Sequence, residues 1–501
     1  MPLIQILHVL SAGWLALYGL NSLLLTLIYW WVRRRQPPPS PAPSTWPSVT
    51  VQLPIYNELH VVERLIAAAT ALDYPRELLQ IQVLDDSSDA TTSIAQQAVA
   101  RARSRGVEIQ CLHRTSRAGF KAGALAEGLR CARGELLAVF DADFVPPPDL
   151  LRQLVPFFSS PEVGCVQARW DHLNRNYSLL TRLQAMGIDG HFVVEQRARS
   201  EAGLLLNFNG SGGVWRRACI EAAGGWQSDT LAEDLDLSYR AQLAGWRILY
   251  VPGAMVPGEL PPQMDALRRQ QARWAGGSIR VALKVLPALF RSGLTVPAKI
   301  EGALHLTGYL VHPLLLLTLL LSLPIALGGA RVAGLAPYFF MAAIGPPLLY
   351  LTAQTQRGPG WWRDLALAPL LLLLGAGLAL NNSVAMARAV LGQRGDFQRT
   401  PKFDVQNRAD QWRGSGYALQ YSRMVWWELL LAVLALGVAA LEWRRAGWVP
   451  FWLLVCAASY AYVAATSVVQ SWHGVKHWRE RNVDRGRPRM SYASRQCNRK
   501  G

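Results

Sequence analysis

The sequence predicts an α/β domain with a mostly parallel, Rossmann-like sheet, joined to an α-helical transmembrane region. Three observations carry this. From about residue 45 to 260, short β-branched runs alternate with segments of helical spacing, which implies parallel strands covered on both faces. Outside that region the chain is apolar over lengths near the ~20 residues that cross a bilayer as a helix. Acidic pairs stand at the carboxyl ends of the strand-like runs, where ligands bind in such sheets.

The elements follow in order. Leu3–Trp31 is long and apolar and closes on Tyr29-Trp30-Trp31 and Arg33-Arg34-Arg35. It lacks the basic start and small-residue end of a cleavable signal. The basic flank predicts a cytosolic main domain with Met1 outside. Gln36–Pro47 is Pro/Ser-rich and reads as a linker of limited flexibility. Val49–Leu53, Ile81–Leu84, Val107–Leu112 and Leu136–Phe140 read as strands, and Val61–Ala71, Ser93–Arg103 and Ala122–Cys131 as helices. Glu233-Asp234 opens a further helix through Ala244. Met264–Phe290 is amphipathic and basic, which suits helices lying in a membrane interface.

Four more spans follow at about Leu304–Leu327, Val332–Leu351, Val425–Leu441 and Trp448–Val469. Leu365–Leu380 is shorter. If it crossed too, the basic segment 393–423 would fall outside, so the reading has it lie in the interface or double back. The expected organisation is a transmembrane helix (1–35), the linker (36–47), a cytosolic catalytic domain (48–262) and interface helices (263–295). Transmembrane helices with a cytosolic loop at 393–423 (296–472) and a basic cytosolic tail (473–501) complete it. This describes an integral protein of an inner or plasma membrane.

Bulk properties agree. Mean hydropathy is +0.13 and net charge +17 over 501 residues. Basic flanks facing anionic lipid account for that charge without a nucleic-acid partner. The six cysteines show no metal-binding or disulfide spacing.

Five motifs and a lysine carry chemistry. Asp141-Ala142-Asp143 follows a hydrophobic strand and offers oxygen ligands suited to Mg²⁺ or Mn²⁺. Asp85-Asp86 ends an earlier strand, where an acidic group reads a nucleoside. Pro54-Ile55-Tyr56-Asn57-Glu58 ends the first strand, and Lys121 precedes a helix within reach of a phosphate. Of Glu233 and Asp234, the second is the preferred general base for an attacking hydroxyl. Gln270-Gln271-Ala272-Arg273-Trp274 puts an amide, a guanidinium and a flat apolar ring on one helix face. Turns, an acidic helix start and a membrane-anchoring Trp are the bland alternatives to each motif taken singly.

Taken together the motifs strongly resemble the membrane-integrated family 2 glycosyltransferases, which include cellulose synthase and the plant cellulose-synthase-like mannan and glucan synthases. Phe208-Asn209-Gly210-Ser211, Gly224-Gly225-Trp226 and Glu259-Leu260-Pro261 extend the likeness over about residues 48–290. The resemblance implies a GT-A fold, an inverting transfer and a β-linkage. It assigns Asp85 or Asp86 to the nucleoside and Asp141 and Asp143 to metal and diphosphate. Asp234 becomes the base beside Glu233, and Gln270, Arg273 and Trp274 serve the diphosphate and the acceptor end. Pro54, Tyr56, Glu58 and Lys121 join the donor side, and Asn209 and Gly210 the acceptor side. Two departures stand out: Ala232 replaces the threonine of Thr-Glu-Asp, and Phe397-Gln398-Arg399-Thr400-Pro401-Lys402 carries Arg where the gating-loop motif has Val. Phe397, Thr400 and Lys402 are the gating-loop candidates.

The leading expectation is a synthase that builds and exports a β-1,4-linked hexose polymer from a nucleotide sugar. UDP-glucose and GDP-mannose both fit, with a slight lean to UDP-glucose. A glycolipid glucosyltransferase acting on diacylglycerol or ceramide is the alternative, and an inactive pore or scaffold the third reading. Oligomeric state is not legible.

Overall fold

The computed structural model describes residues 2–35, 43, 45–329, 336–393, 399–413, 415–446 and 451–485. Phe397, most of the expected linker and the end of the basic tail lie outside them.

The strands are β1 (Val49–Ile55), β2 (Leu79–Asp85), β3 (Ile109–His113), β4 (Leu136–Val139), β5 (Val163–His172), β6 (Gly213–Arg216) and β7 (Arg247–Gly258). They form one seven-stranded sheet in the order β3-β2-β1-β4-β6-β5-β7. β1 pairs in parallel with β2 and β4, and β2 with β3. β6 runs antiparallel to β4 and β5. The sheet is therefore mixed, not uniformly parallel. β1 and β2 are buried along nearly their whole length, as strands covered on both faces must be. Val49, Val51, Leu53, Ile81 and Val83 fill one core. The polar residues facing the other way are satisfied across the strand pair: Thr50 donates to Gln80 at 2.8 Å and Gln52 to Gln82 at 3.0 Å.

This order has one consequence for function. The chain leaves β1 toward β2 and β3, then crosses back to place β4 on the other side of β1. The strand order reverses there, so a crevice opens beyond the carboxyl ends of β1 and β4. Ile55, Asp85 and the Phe140-Asp141 junction reach that edge. β5, β6 and β7 escape a reading of periodicity because β6 has only four residues and β7 contains Pro252 and Gly253.

The helices after the sheet domain alternate in direction. The Pro2–Val32 helix lies antiparallel to Val311–Leu327: Tyr18 donates to Thr307 O at 2.8 Å, Ser11 meets Thr318 at 2.8 Å and His8 meets Ser322 at 3.1 Å. The Ala336–Thr355 helix returns to the sheet domain, where Arg357 donates to Asp189. Met424–Ala446 leaves from beside Asp265, and Phe451–Arg485 comes back to Met264, whose N–H donates to Gln470 at 2.8 Å.

Among the described residues, five helical segments are long and apolar enough to cross a membrane: Pro2–Val32, Gly308–Leu327, Ala368–Val390, Met424–Arg445 and Phe451–Trp472. Ala368–Val390 is broken into Ala368–Gly377 and Ala379–Val390. Before it, Asp364 is paired with Arg175 and Arg182 of the sheet domain. After it, Lys402 reaches Asp143 of the same domain. Both flanks are thus held on one side, and Asn381 donates to Arg268 O at 3.0 Å along the Met264–Arg291 helix.

Buried ion pairs join the two regions. Asp189 is fully buried and accepts from Arg175 at 2.9 Å, His172 at 3.1 Å and Arg357 at 2.6 Å. Burial alone would raise its pKa; the hydrogen bonds from His172 and Arg357 outweigh it and hold the carboxyl well below the usual range. Removing one member of a buried pair typically costs about 3–5 kcal/mol, because the remaining charges stay buried. Asp189→Asn is therefore expected to lower the melting temperature in detergent by several degrees, read by thermal-shift fluorescence. An unchanged midpoint would mean that the cluster holds nothing together.

Candidate functional site

The crevice beyond β1 and β4 gathers nearly every residue singled out above. Its sheet side is lined by Pro54, Tyr56, Glu58, Asp86, Lys121, Asp141 and Asp143. The opposite wall carries Asn209, Gly210, Glu233, Asp234, Gln270, Arg273 and Trp274, and Thr400 and Lys402 close one end. Residues as far apart in sequence as Pro54 and Lys402 meet here.

Asp85 is the exception. It is fully buried behind the crevice. Its carboxylate accepts from Ser87 N at 2.9 Å, Thr92 Oγ1 at 2.7 Å and His113 Nδ1 at 2.8 Å. Those contacts shape the turn after β2 and turn Asp86 outward. Asp86 accepts from Arg114 Nε at 2.7 Å. Of the two aspartates, Asp86 alone lines the crevice.

At the centre, Lys121 is surrounded by carboxylates. Its ammonium lies 2.6 Å from Asp141 Oδ1 and 3.6 Å from Glu233 Oε1, and donates to Gly210 O at 2.8 Å. Burial pulls the ammonium down, but Asp141, Glu233 and Asp234 outweigh it and push the Lys121 pKa up to about 12. Asp234 responds in the opposite sense. Burial and the neighbouring Glu233 raise it to about 7, against the opposing pull of Lys121. Asp141 is also raised, by burial first and then by Asp143, with Lys121 opposing. Adjacent carboxylates cannot all ionise freely in a desolvated site.

Asp234 stands at the start of the Glu233–Leu243 helix, where its carboxylate accepts from Leu235 N at 2.8 Å. Gly210 faces it with φ +81°, and a Cβ there would lie 2.8 Å from Asp234 Oδ2. Only glycine admits this approach. Ala232, the departure from Thr-Glu-Asp, packs on Gly277 of the Met264–Arg291 helix, where a Cβ would fall 2.8 Å from the Ala232 Cβ. Two small residues let that helix close on the base, and a threonine would crowd the contact.

The 399–404 segment belongs to the site. Lys402 pairs with Asp143 and donates to Glu259 O at 3.4 Å. Phe403 N donates to Glu259 Oε1 at 2.9 Å. Arg399, the other departure, pairs with Glu58 at 2.8 Å and stacks over Tyr417. Burial raises Glu58 to about 7 although Arg399 and Lys402 oppose it. Thr400 brings a buried hydroxyl that has no hydrogen-bond partner among the described residues.

Sequence reasoning missed Arg117 and Trp170. The Arg117 guanidinium lies 3.4 Å above the Tyr56 ring, and Trp170 lines the crevice from the end of β5. The signal for Arg117 was its place in the basic run just before Lys121; Trp170 sits on a strand that periodicity did not reveal.

The Asp-x-Asp pair suits a divalent cation. Both carboxylates attract cations, since each holds a lysine ammonium. Among the described residues no three His, Cys, Asp or Glu side chains converge. A protein site of two carboxylates is what Mg²⁺ or Mn²⁺ accepts when a diphosphate supplies further oxygens.

Residues 47–277 match the family described as glycosyltransferase like family 2. A probable glucomannan 4-beta-mannosyltransferase 10 of Arabidopsis thaliana is 43% identical over 253 residues, which is 50% of this chain and 46% of that protein. A probable glucomannan 4-beta-mannosyltransferase 7 of Oryza sativa is 46% identical over 245 residues, 48% of this chain and 42% of that protein. The chain thus spans about half the length of the curated relatives it matches. Among solved structures, the mannosyltransferase PcManGT of Pyrobaculum calidifontis, in complex with GDP-Man and Mn²⁺, aligns at a TM-score of 0.51 with 23% identity. That alignment covers 76% of this chain and 99% of the other, a likeness of fold. With the sheet order and the carboxylate cluster, these matches make the 47–277 region a glycosyltransferase family 2 domain of GT-A fold, set among helices long and apolar enough to span a membrane.

Proposed function

We propose that this chain is an inverting, metal-dependent mannosyltransferase that extends a β-1,4-linked polysaccharide from GDP-mannose at a membrane. The observation that carries this reading is the meeting of Asp141, Asp143, Asp234 and the Gln270–Trp274 helix face in one crevice. The mannosyltransferase relatives support mannose over glucose, so the slight lean to UDP-glucose gives way. They also favour the polymer over the glycolipid alternative.

The chemistry follows from the geometry. Asp86, Tyr56 and Arg117 form the end suited to the nucleoside, with Arg273 and Lys121 toward the diphosphate. Asp141 and Asp143 would hold Mg²⁺ or Mn²⁺, which when bound neutralises charge on the departing diphosphate. Asp234 takes the proton as the acceptor hydroxyl attacks C1 and the C1–O bond to the diphosphate breaks, inverting the anomeric centre. Trp274 offers its ring face to the acceptor sugar. The 399–404 segment covers the donor and excludes water. In this reading the sheet domain, the loop and the tail are cytosolic. Five helices cross, Ala336–Thr355 among them, and the membrane is an inner or plasma membrane.

Three outcomes test it. Asp143→Asn is expected to abolish transfer in a protein that still folds, because it removes charge and not volume. EDTA should do the same to the native protein, and full activity in EDTA would end the metal role.

A base with a pKa of about 7 must be ionised to act, so kcat/KM should rise as pH passes through about 7 and level off above it. Lys121→Met removes the cation that favours the Asp234 carboxylate and should move that limb to higher pH. Asp234→Asn should lower turnover by several orders of magnitude with donor binding nearly kept. Collapse of donor affinity instead would assign Asp234 to binding.

Trp274→Ala should cripple elongation and spare donor hydrolysis to water. The native product should be large, alkali-resistant and digestible by a β-mannanase. A product carrying one or two sugars that extracts wholly into chloroform–methanol would decide for the glycolipid alternative.

A further inference from the structure

Two carboxylates near the nucleoside end of the crevice differ in what their partners leave open. Asp86 is held on both oxygens by one guanidinium: Arg114 Nε donates to Oδ1 at 2.7 Å and Arg114 Nη2 to Oδ2. Glu58 is held more loosely. Its Oε2 lies 2.8 Å from Arg399 Nη1, yet both atoms are buried and neither has a hydrogen-bond partner among the described residues. The charges are paired and the hydrogen bonds are not made. Among the described residues, Glu58 Oε1 and the other guanidinium nitrogens of Arg399 form no hydrogen bond either. Buried polar groups left without partners are costly, and in a ligand crevice they point to a ligand.

Both side chains line the crevice. Arg399 lies 4.1 Å from the centre of the Tyr417 ring, whose hydroxyl donates to Asp89 in the turn after β2. That stacking fixes the plane of the guanidinium. Arg399 is also near enough to Arg117 to act on it electrostatically, as Tyr56 and Asp86 do. Three residues on, Lys402 reaches Asp143. The segment therefore runs along the crevice from the nucleoside end to the Asp-x-Asp pair, and the unpartnered Thr400 hydroxyl lies between.

A carboxylate beside a guanidinium has a matching partner among the nucleobases. One edge of guanine presents the N2 amino group, N1–H and O6 in order, two donors and then an acceptor. A carboxylate accepts from both donors, and a guanidinium donates to the oxygen. Uracil presents O2, N3–H and O4. A carboxylate there meets one donor, and its second oxygen is left against a carbonyl. A buried acceptor facing an acceptor costs more than a contact simply missing.

We infer that Glu58 and Arg399 together read the nucleobase of the donor, Glu58 accepting from N1–H and the N2 amino group of guanine and Arg399 donating to O6. Arg399, the residue that departs from the gating-loop motif, thereby selects a guanosine over a uridine diphosphate sugar. This inference rests on the proposed transfer from GDP-mannose and names the groups that choose that donor.

The test is calorimetric binding of GDP, UDP and inosine diphosphate, each with Mn²⁺, to the full-length protein in detergent, beside mannosyl transfer from GDP-mannose. Inosine diphosphate is GDP without the N2 amino group. A good paired contact to a base discriminates by roughly ten- to a hundredfold, so the wild type should bind GDP about a hundredfold more tightly than UDP and about tenfold more tightly than inosine diphosphate. Arg399→Val should reduce the GDP-to-UDP ratio about tenfold, and Arg399→Lys, which keeps a donor for O6, should restore most of it. Glu58→Gln should bring the ratio of GDP to inosine diphosphate close to one, because an amide cannot accept on both sides. A role only in anchoring the segment would weaken all three nucleotides by the same factor and leave both ratios as in the wild type, which would overturn the inference. So would a wild type that binds UDP or inosine diphosphate as tightly as GDP. If the ratios fail while mannose is still transferred from GDP-mannose, the inference falls and the proposed function stands. A wild type that forms no glycoside from GDP-mannose or UDP-glucose overturns the proposed function, and this inference with it.

Discussion

The site depends on crowding four carboxylates, Asp141, Asp143, Glu233 and Asp234, into one poorly solvated crevice. Such charges repel strongly where water is scarce, and each must be paired, neutralised or raised in pKa. Lys121 and Lys402 supply the cations on two sides. The balance they leave is what makes the site useful. Asp234 stays near the midpoint of its titration around neutral pH, and Asp141 and Asp143 retain a field that draws a divalent cation and its diphosphate. Neutralising any one member would shift the others, so the effects of substitutions here will not add.

The positions of these groups are fixed from the membrane-facing side as much as from the sheet. Arg268 is buried and paired with Asp265 and with Glu428 of the Met424–Ala446 helix. Arg199 is buried against Glu301 at 2.8 Å. Buried pairs add little net stability, because desolvation offsets most of the attraction. They do penalise every other arrangement. The Met264–Arg291 helix is tied to the Met424–Ala446 helix by the first of these and to the sheet domain by Lys284, which pairs with Asp229 at 2.8 Å and Asp236 at 2.9 Å. The Ala232–Gly277 contact sets the closing distance.

The loop at 399–404 links the same charge balance to access. It is tied down by Arg64, which pairs with Asp404 and with Glu259, by Lys402 on Asp143 and by Arg399 on Glu58. Of the groups so paired, Asp143 and Glu58 line the crevice. In the proposed function, a donor diphosphate with its cation would compete with Lys402 for Asp143, which would link binding to loop position. The Arg that departs from the family's gating motif is one of these anchors.

The sequence by itself determined the order of elements, the alternation that makes a covered parallel sheet, and the chemistry available at the strand ends. It could do so because the strand period, helical spacing and turn residues are local properties, and because β1, β2 and β4 end on their acidic residues. It also placed four of the five segments long and apolar enough to cross, while Leu365–Leu380, expected to be shorter, belongs to Ala368–Val390, which is long enough. Local pattern could not separate Asp85 from Asp86, since both follow the same strand; only the turn's hydrogen bonds set Asp85 behind the crevice and Asp86, itself buried against Arg114, along its wall. It did not reveal β6 and β7, one short and the other irregular, which are stabilised by their neighbours and not by their own residues. Nor could it bring Arg399 to Glu58 or Lys402 to Asp143. Those contacts join distant parts of the chain, and what decides them is the packing of helices against the sheet domain and the pairing of charges that cannot remain buried alone.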